Sequence, residues 1–130
     1  MNANEQMLQE TVTRISGVNV RKCMRCGKCS GTCPAYGEME YHPHQFVYMV
    51  EKGQIEKLMA SKSLYKCLTC LACVDRCPRS VEPAKLVEAL RLMVIRQQGA
   101  NHFKPDDIPA LADGEIPQQL LVSALRKYAK

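Results

Sequence analysis

The sequence predicts an all-α fold, with a short N-terminal helix, a helical spacer in its middle and a helical C-terminal tail. Three observations predict it. Apolar residues recur at helical spacing in several segments, and no alternating apolar/polar run of strand length lies beside the cysteine-rich parts of the chain. Apolar content rests on Met, Leu, Val and Ala rather than aromatics, with two Phe, five Tyr and no Trp in 130 residues; that set leans toward helix. Prolines and glycines fall at the ends of the periodic segments, where helices begin and stop.

In chain order, Glu5 to Ser16 places Met7, Leu8, Val12 and Ile15 roughly on one helical face, with Gly17 as its stop. Between the two cysteine-rich stretches, Pro43 suits a first helical turn. Phe46, Val47 and Val50 then form an apolar stripe up to Gly53. Ile55, Leu58 and Met59 mark a second short helix, broken at Ser61 to Ser63. Pro83 opens the clearest helix, with Leu86, Val87, Leu90, Met93 and Val94 in helical register and Gly99 as its end. Pro105 and Pro109 suit an extended segment, and Ile116 to Tyr128 a last helix with Leu120, Leu121, Ala124 and Leu125 on its apolar face.

All eight cysteines fall in two copies of one pattern, C-x-x-C-x-x-C-x-x-x-C-P. The first copy is Cys23, Cys26, Cys29 and Cys33, followed by Pro34; the second is Cys67, Cys70, Cys73 and Cys77, followed by Pro78. This is the run that holds cubane iron–sulfur clusters in bacterial two-cluster ferredoxins, where the fourth cysteine of each run ligates the other cluster. On that arrangement one 4Fe–4S cluster is held by Cys23, Cys26, Cys29 and Cys77, and the second by Cys67, Cys70, Cys73 and Cys33. The duplicated run also suggests a pseudo-twofold relation between the halves. Structural zinc sites use C-x-x-C pairs separated by a longer loop, a poor match to compact four-cysteine runs. Disulfides do not suit a chain without an export signal; residues 1–20 hold no apolar signal core, and no stretch is long and apolar enough to span a bilayer. The expected compartment is the cytoplasm. A core this small is marginal alone, so the clusters act as cross-links and the apo chain is expected to fold poorly.

The formal charge of +5 counts the thiols as neutral. Eight thiolates contribute about −8 and two oxidised cubane cores about +4, which leaves the loaded chain near +1, or about −1 with both clusters reduced. The basic composition is therefore no nucleic-acid signal, and no nucleic-acid fold motif accompanies it. Cations do gather at the cysteines: Arg21, Lys22, Arg25 and Lys28 at the first run, Lys62, Lys66, Arg76 and Arg79 at the second, against the single carboxylate Asp75. They raise the potential of the reduced cluster, form a docking patch for an acidic partner, or simply balance cluster charge in solvent; the sequence leaves the three open. His42 and His44 bracket Pro43, and with His102 they complete the histidines; eight cysteines already satisfy two cubanes, so these are read as non-ligands.

No dinucleotide fingerprint, phosphate-binding glycine loop, haem site or acid–base constellation is present. The chain can carry electrons, and chemistry on a substrate falls to another polypeptide. The runs CMRCGKCSGTCP and CLTCLACVDRCP, the spacer HPHQFVYMVEKGQIEKLMASKSLYKC and the helix VEPAKLVEALRLM resemble the C subunits of heterodisulfide reductase, over roughly residues 5–95. The resemblance implies an α-helical ferredoxin-like dicluster fold with two 4Fe–4S clusters. It also implies a relay role between a flavin- and cluster-containing A subunit and a catalytic B subunit, in a complex without a membrane span. The expected division is residues 1–20 as helical lead-in, 21–99 as the two-cluster domain and 100–130 as an extension, with docking or core packing as alternatives for its apolar helix. A diffusible two-cluster ferredoxin is the competing reading, and a structural zinc adaptor a more distant one.

Overall fold

The computed structural model describes residues 2–96, 104–111 and 113–126, and these contain helices and turns. The chain divides into two units, Met1–Arg96 and Gln97–Lys130.

The first unit begins with α1, Ala3–Ser16. The Glu5 carboxylate accepts the Asn2 backbone N–H at 2.8 Å, half of a capping box. At the other end Gly17 takes φ 67°, the left-handed stop that an L side chain adopts at a cost. The first cysteine run leads into one helical turn, α2, Lys28–Gly31. Pro43 opens α3, Pro43–Glu51, with the His42 N–H bonded to the Gln45 side chain at 2.8 Å. Gly53 at φ 74° turns the chain into α4, Ile55–Ala60. Ser61 ends it in an extended conformation, and α5, Ser63–Lys66, delivers the second run. That run contains α6, Ala72–Asp75. The long α7, Pro83–Ile95, again starts on a proline.

The core lies where α1, α3 and α4 pack on α7. Phe46, Val47 and Val50 of α3, Ile55 and Leu58 of α4, and Leu86, Val87 and Leu90 of α7 are all buried, as the spacing predicts. On α1 only half of the expected face is used: Val12 is fully buried and Leu8 packs beside the core, whereas Met7 and Ile15 are exposed. One turn of apolar contact suffices there, because the Gln9 side-chain amide also donates to the Val50 and Glu51 carbonyls at 2.8 and 2.9 Å. Both carbonyls lie in the last turn of α3, where helix carbonyls run short of intrahelical partners; that of Val50 also accepts the Gly53 N–H at 3.1 Å.

α7 ends at Ile95, earlier than the expected stop at Gly99, which lies outside the described residues. In the second unit, Pro105 and Pro109 do not make an extended segment. Pro105–Asp107 is a 3₁₀ turn running into α8, Ile108–Leu111, because proline fits the first turn of a helix as readily as an extended strand. The last helix, α9, spans Gln118–Leu125; its expected end at Tyr128 lies outside the described residues. Among the described residues no helix is long and apolar enough to cross a membrane.

Phe46 is fully buried at the α3–α7 contact. Phe46→Ala should therefore cost about 3–5 kcal/mol, the usual result of emptying an aromatic site in a close-packed core. Anaerobic denaturant unfolding, followed through the visible cluster absorbance, should show the midpoint fall accordingly.

Candidate metal centre

The two cysteine runs fold into the same local shape, position for position. Cys23 and Cys67 both cap a preceding helical turn in extended geometry, at φ −66°, ψ 123° and φ −63°, ψ 122°. Two residues on, Arg25 and Thr69 are left-handed at φ 57° and 54°. Gly27 and Leu71 are left-handed as well, at φ 75° and 62°, and each starts the single helical turn that carries the third cysteine. The N–H of Cys33 then bonds the Ser30 carbonyl, and that of Cys77 the Val74 carbonyl, at 3.2 and 3.4 Å. Each run therefore repeats the same pair of left-handed positions, two residues apart. A left-handed Leu or Thr costs about 1–2 kcal/mol relative to the right-handed form. Such strain persists where surroundings over-determine it, and it concentrates at functional sites.

Two cavities result. One, of about 350 Å³ including its open mouth, is lined by Cys23, Cys26 and Cys29 of the first run together with Cys77 of the second. The other, of about 420 Å³, is lined by Cys67, Cys70 and Cys73 together with Cys33. Each thus gathers three thiols from one run and the fourth from its partner run. Cys26 and Cys70 are exposed at the mouths, and the other six thiols are half-buried. No three Cys, His, Asp or Glu side chains among the described residues converge tightly enough to hold a single ion. A tetrahedral zinc, at about 2.3 Å from each sulfur, needs such convergence. A cubane spreads its four ligands over a larger body, and the thiol sets fit that group.

Three devices hold the runs together. Arg79, just past Cys77, donates from Nε to the Lys22 carbonyl at 3.3 Å, next to Cys23. Ser30, beside Cys29, accepts the His44 backbone N–H at 3.1 Å and shares a 2.6 Å hydrogen bond with its Nδ1, so the first run is tied to the start of α3. Pro83 is buried and lines both cavities, and α2 packs on α6. The N-terminus of α7 thereby meets the thiols, where its partial positive charge and free N–H groups favour an anionic group.

The electrostatics are those of a site meant for a cation-rich group. Burial pushes the Cys73 thiol up to about 11; a backbone N–H bond from Ala84 offsets part of this, and nearby Cys67, Cys29 and Cys70 add repulsion. Burial raises Cys29 as well, against hydrogen bonds from Ser30. Metal ligation there displaces protons, which couples cluster loading to folding. Two further thiols accept backbone N–H groups, Cys23 from Arg25 and Cys77 from Val81, each at 3.4 Å.

Among the histidines, His44 lines the first cavity, burial lowering its pKa. His42 stacks on Tyr36 at 3.8 Å with its buried Nδ1 unpartnered. His102 lies outside the described residues. Sequence reasoning missed Arg91. From α7 its guanidinium reaches back to the Leu64 carbonyl at 2.6 Å, the Thr69 hydroxyl at 2.8 Å and the Cys67 carbonyl, clamping the start of the second run. Its place on the polar flank of an amphipathic helix gave no sign of this, because the contact is long-range.

Residues 19–81, just under half of the chain, resemble the family of 4Fe–4S dicluster domains. The chain is similar over more of its length to three further proteins. It is 29% identical over 84% of its length to the C2 subunit of the H(2)/formate:CoB-CoM heterodisulfide,ferredoxin reductase of Methanococcus maripaludis, covering 60% of that protein. It is 30% identical, over 62% of this chain and 42% of the relative, to the iron-sulfur C subunit of the CoB--CoM heterodisulfide reductase of Methanopyrus kandleri. Identity to the C subunit of the H(2):CoB-CoM heterodisulfide,ferredoxin reductase of Methanothermobacter thermautotrophicus is 28%, over 68% of this chain and 46% of the relative. The chain thus spans about half the length of these relatives.

Arg91→Met should loosen the second run selectively, since it strips partners from two carbonyls that together hold the entry to Cys67. Each lost partner is worth about 1–3 kcal/mol. Anaerobic iron release to a chelator should become biphasic, with about half the iron leaving faster than in the parent protein.

Proposed function

We propose that this chain is the electron-relay subunit of a heterodisulfide-reductase-like complex. The cluster ligands are assigned as Cys23, Cys26, Cys29 and Cys77 for one 4Fe–4S group, and Cys67, Cys70, Cys73 and Cys33 for the other. The observation that supports this reading is that each cavity is completed by a thiol of the other run. Two groups so held would lie close together, as electron passage between them requires. Each group, when bound, stores and releases one electron. The protein's own part is to exclude water with Met39, Val47, Val81 and Val87, to hold the thiolates with backbone N–H groups, and to set the local field with the α7 N-terminus.

On this reading, catalysis belongs to a partner. By analogy with the C subunits it resembles, the chain passes electrons between a flavin- and cluster-bearing A-type subunit and a catalytic B-type subunit, in the cytoplasm. The first unit supplies the relay, and the segment from residue 100 onward is proposed as a docking extension. Its α9 exposes Leu120 and Val122, 60% and 62% accessible, which suits helix-in-groove docking.

Two measurements test the assignment. Anaerobic purification of the tagged native protein should return about eight iron and eight sulfide per chain, with flavin-containing and cysteine-rich polypeptides co-eluting. The same metal content without partners favours a diffusible ferredoxin; zinc without sulfide rejects both. Crossed ligation is tested by electron paramagnetic resonance of the reduced protein. Cys77→Ala should abolish the same signal as Cys26→Ala, and Cys33→Ala the same signal as Cys70→Ala. Pairing of Cys77→Ala with Cys70→Ala would reject the crossing.

A further inference from the structure

The repeated shape of the two runs allows the two cavity rims to be compared residue by residue. At equivalent places the first run carries Arg21, Arg25 and Lys28 where the second carries Tyr65, Thr69 and Ala72; conversely the second carries Lys62 and Arg76 where the first has Val18 and Thr32, Arg76 standing next to the Cys77 that lines the first cavity. Arg79 lines the first cavity, and its counterpart at the second is Ala35. Lys22 and Lys66 are equivalent, but Lys66 has the Glu38 carboxylate 3.9 Å away. Arg21, Lys22, Arg25, Lys28 and Arg79 are all exposed. Among the described residues, the one carboxylate paired with any of them is Glu51, 3.2 Å from Arg25. Tyr48 lies beneath Arg25 and Lys52, with ring-to-cation distances of 5.0 and 5.8 Å, which adds a further cation to the same side. Cys26, which lines this cavity, is exposed, as is Met24 at 54% accessibility.

Charge balance does not account for this difference. The two groups have the same thiolate count and the same charge, so cations needed for neutralisation would appear at both rims. The second cavity is lined by no charged residue at all, and Leu68 and Leu71 stand exposed at its mouth. Arg91 turns inward to serve the fold, whereas Arg21, Lys22 and Lys28 of the first rim are exposed, and no carboxylate pairs with them among the described residues. Exposed cations beside an accessible thiol are what steers and orients an oppositely charged redox partner.

We propose that the rim of the first run is a docking surface for an acidic electron-carrying protein, and that electrons cross there through the exposed Cys26 edge. This rests on the relay reading above and adds the chemistry of one partner. The second rim, by contrast, does not use charge for recognition.

The test uses the loaded full-length chain, reduced anaerobically and mixed in a stopped-flow instrument with an acidic flavodoxin or a basic c-type cytochrome. Transfer to the flavodoxin should slow about tenfold or more as salt rises from about 10 mM to 500 mM, as screening removes steering. The cytochrome should show the opposite trend or none. The variant Arg21→Glu/Lys22→Glu/Lys28→Glu should react with flavodoxin at low salt as slowly as the parent does at high salt. Lys62→Glu/Lys66→Glu, at the second rim, should stay within about twofold of the parent at each salt level. Equal loss in both variants would make net charge the cause and overturn the proposal. So would a deficit in the first variant that persists at 500 mM salt, since that is a change of potential rather than of docking. Salt-independent transfer to both probes overturns the docking surface alone. Transfer to neither overturns the relay reading and this inference with it.

Discussion

Each thiol-lined cavity draws three of its cysteines from one loop and the fourth from the other, so neither half of the first unit can complete its site alone. This mutual dependence organises the remaining contacts. The short turns α2 and α6 pack together, Pro83 forms a wall common to both cavities, and Arg79 and Ser30 stitch each run to a neighbouring segment. The helical core of α1, α3, α4 and α7 is the platform that brings these pieces into register. With so few large side chains, that core is modest for its length. Loading the cavities closes loops that span most of the unit, and in such small domains metal binding and folding share one free energy.

The runs themselves are not relaxed loops. Arg25, Thr69 and Leu71 are left-handed without being glycine, and Ser80 and Glu82 follow the same path as the chain leaves Cys77 for α7. Only Gly27 is the residue type that this conformation favours, and its Cβ position is open space, so the requirement there is backbone freedom and not room. The strain is supported from outside the loops. Arg91 binds two carbonyls and a hydroxyl around the strained Thr69, and Arg25 is held by Glu51 and the Tyr48 ring. The two arginines do similar geometric work by different means, one turned inward and the other at the surface. The pseudo-symmetry of the backbone is accordingly not a symmetry of charge.

The periodic apolar residues, the helix-opening prolines and the left-handed Gly17 and Gly53 were legible because helix start, stop and face are local properties of a few neighbouring residues. Phe46, Val47, Val50, Leu86 and Leu90 fall into place on that basis alone. The local signals failed where a segment had two acceptable conformations. Pro105 and Pro109 fit a first helical turn as well as an extended strand. They failed too at Met7 and Ile15, where helical spacing marks a face without saying how much of it a neighbour covers.

By itself the sequence determined the all-α class, the two four-cysteine runs, the dicluster chemistry they suit and the resemblance to the C subunits of heterodisulfide reductase, since all of these are written in residue type and short-range spacing. Tertiary structure alone decided that Arg91 clamps the second run from across the fold, that Arg79 lines the first cavity and bonds the Lys22 carbonyl, and that no charged residue lines the second cavity. Those outcomes depend on pairs of residues far apart in the chain, such as Arg79 with Lys22 and Arg91 with Cys67. Their proximity is set by how α3 and α7 pack, and no local spacing encodes it.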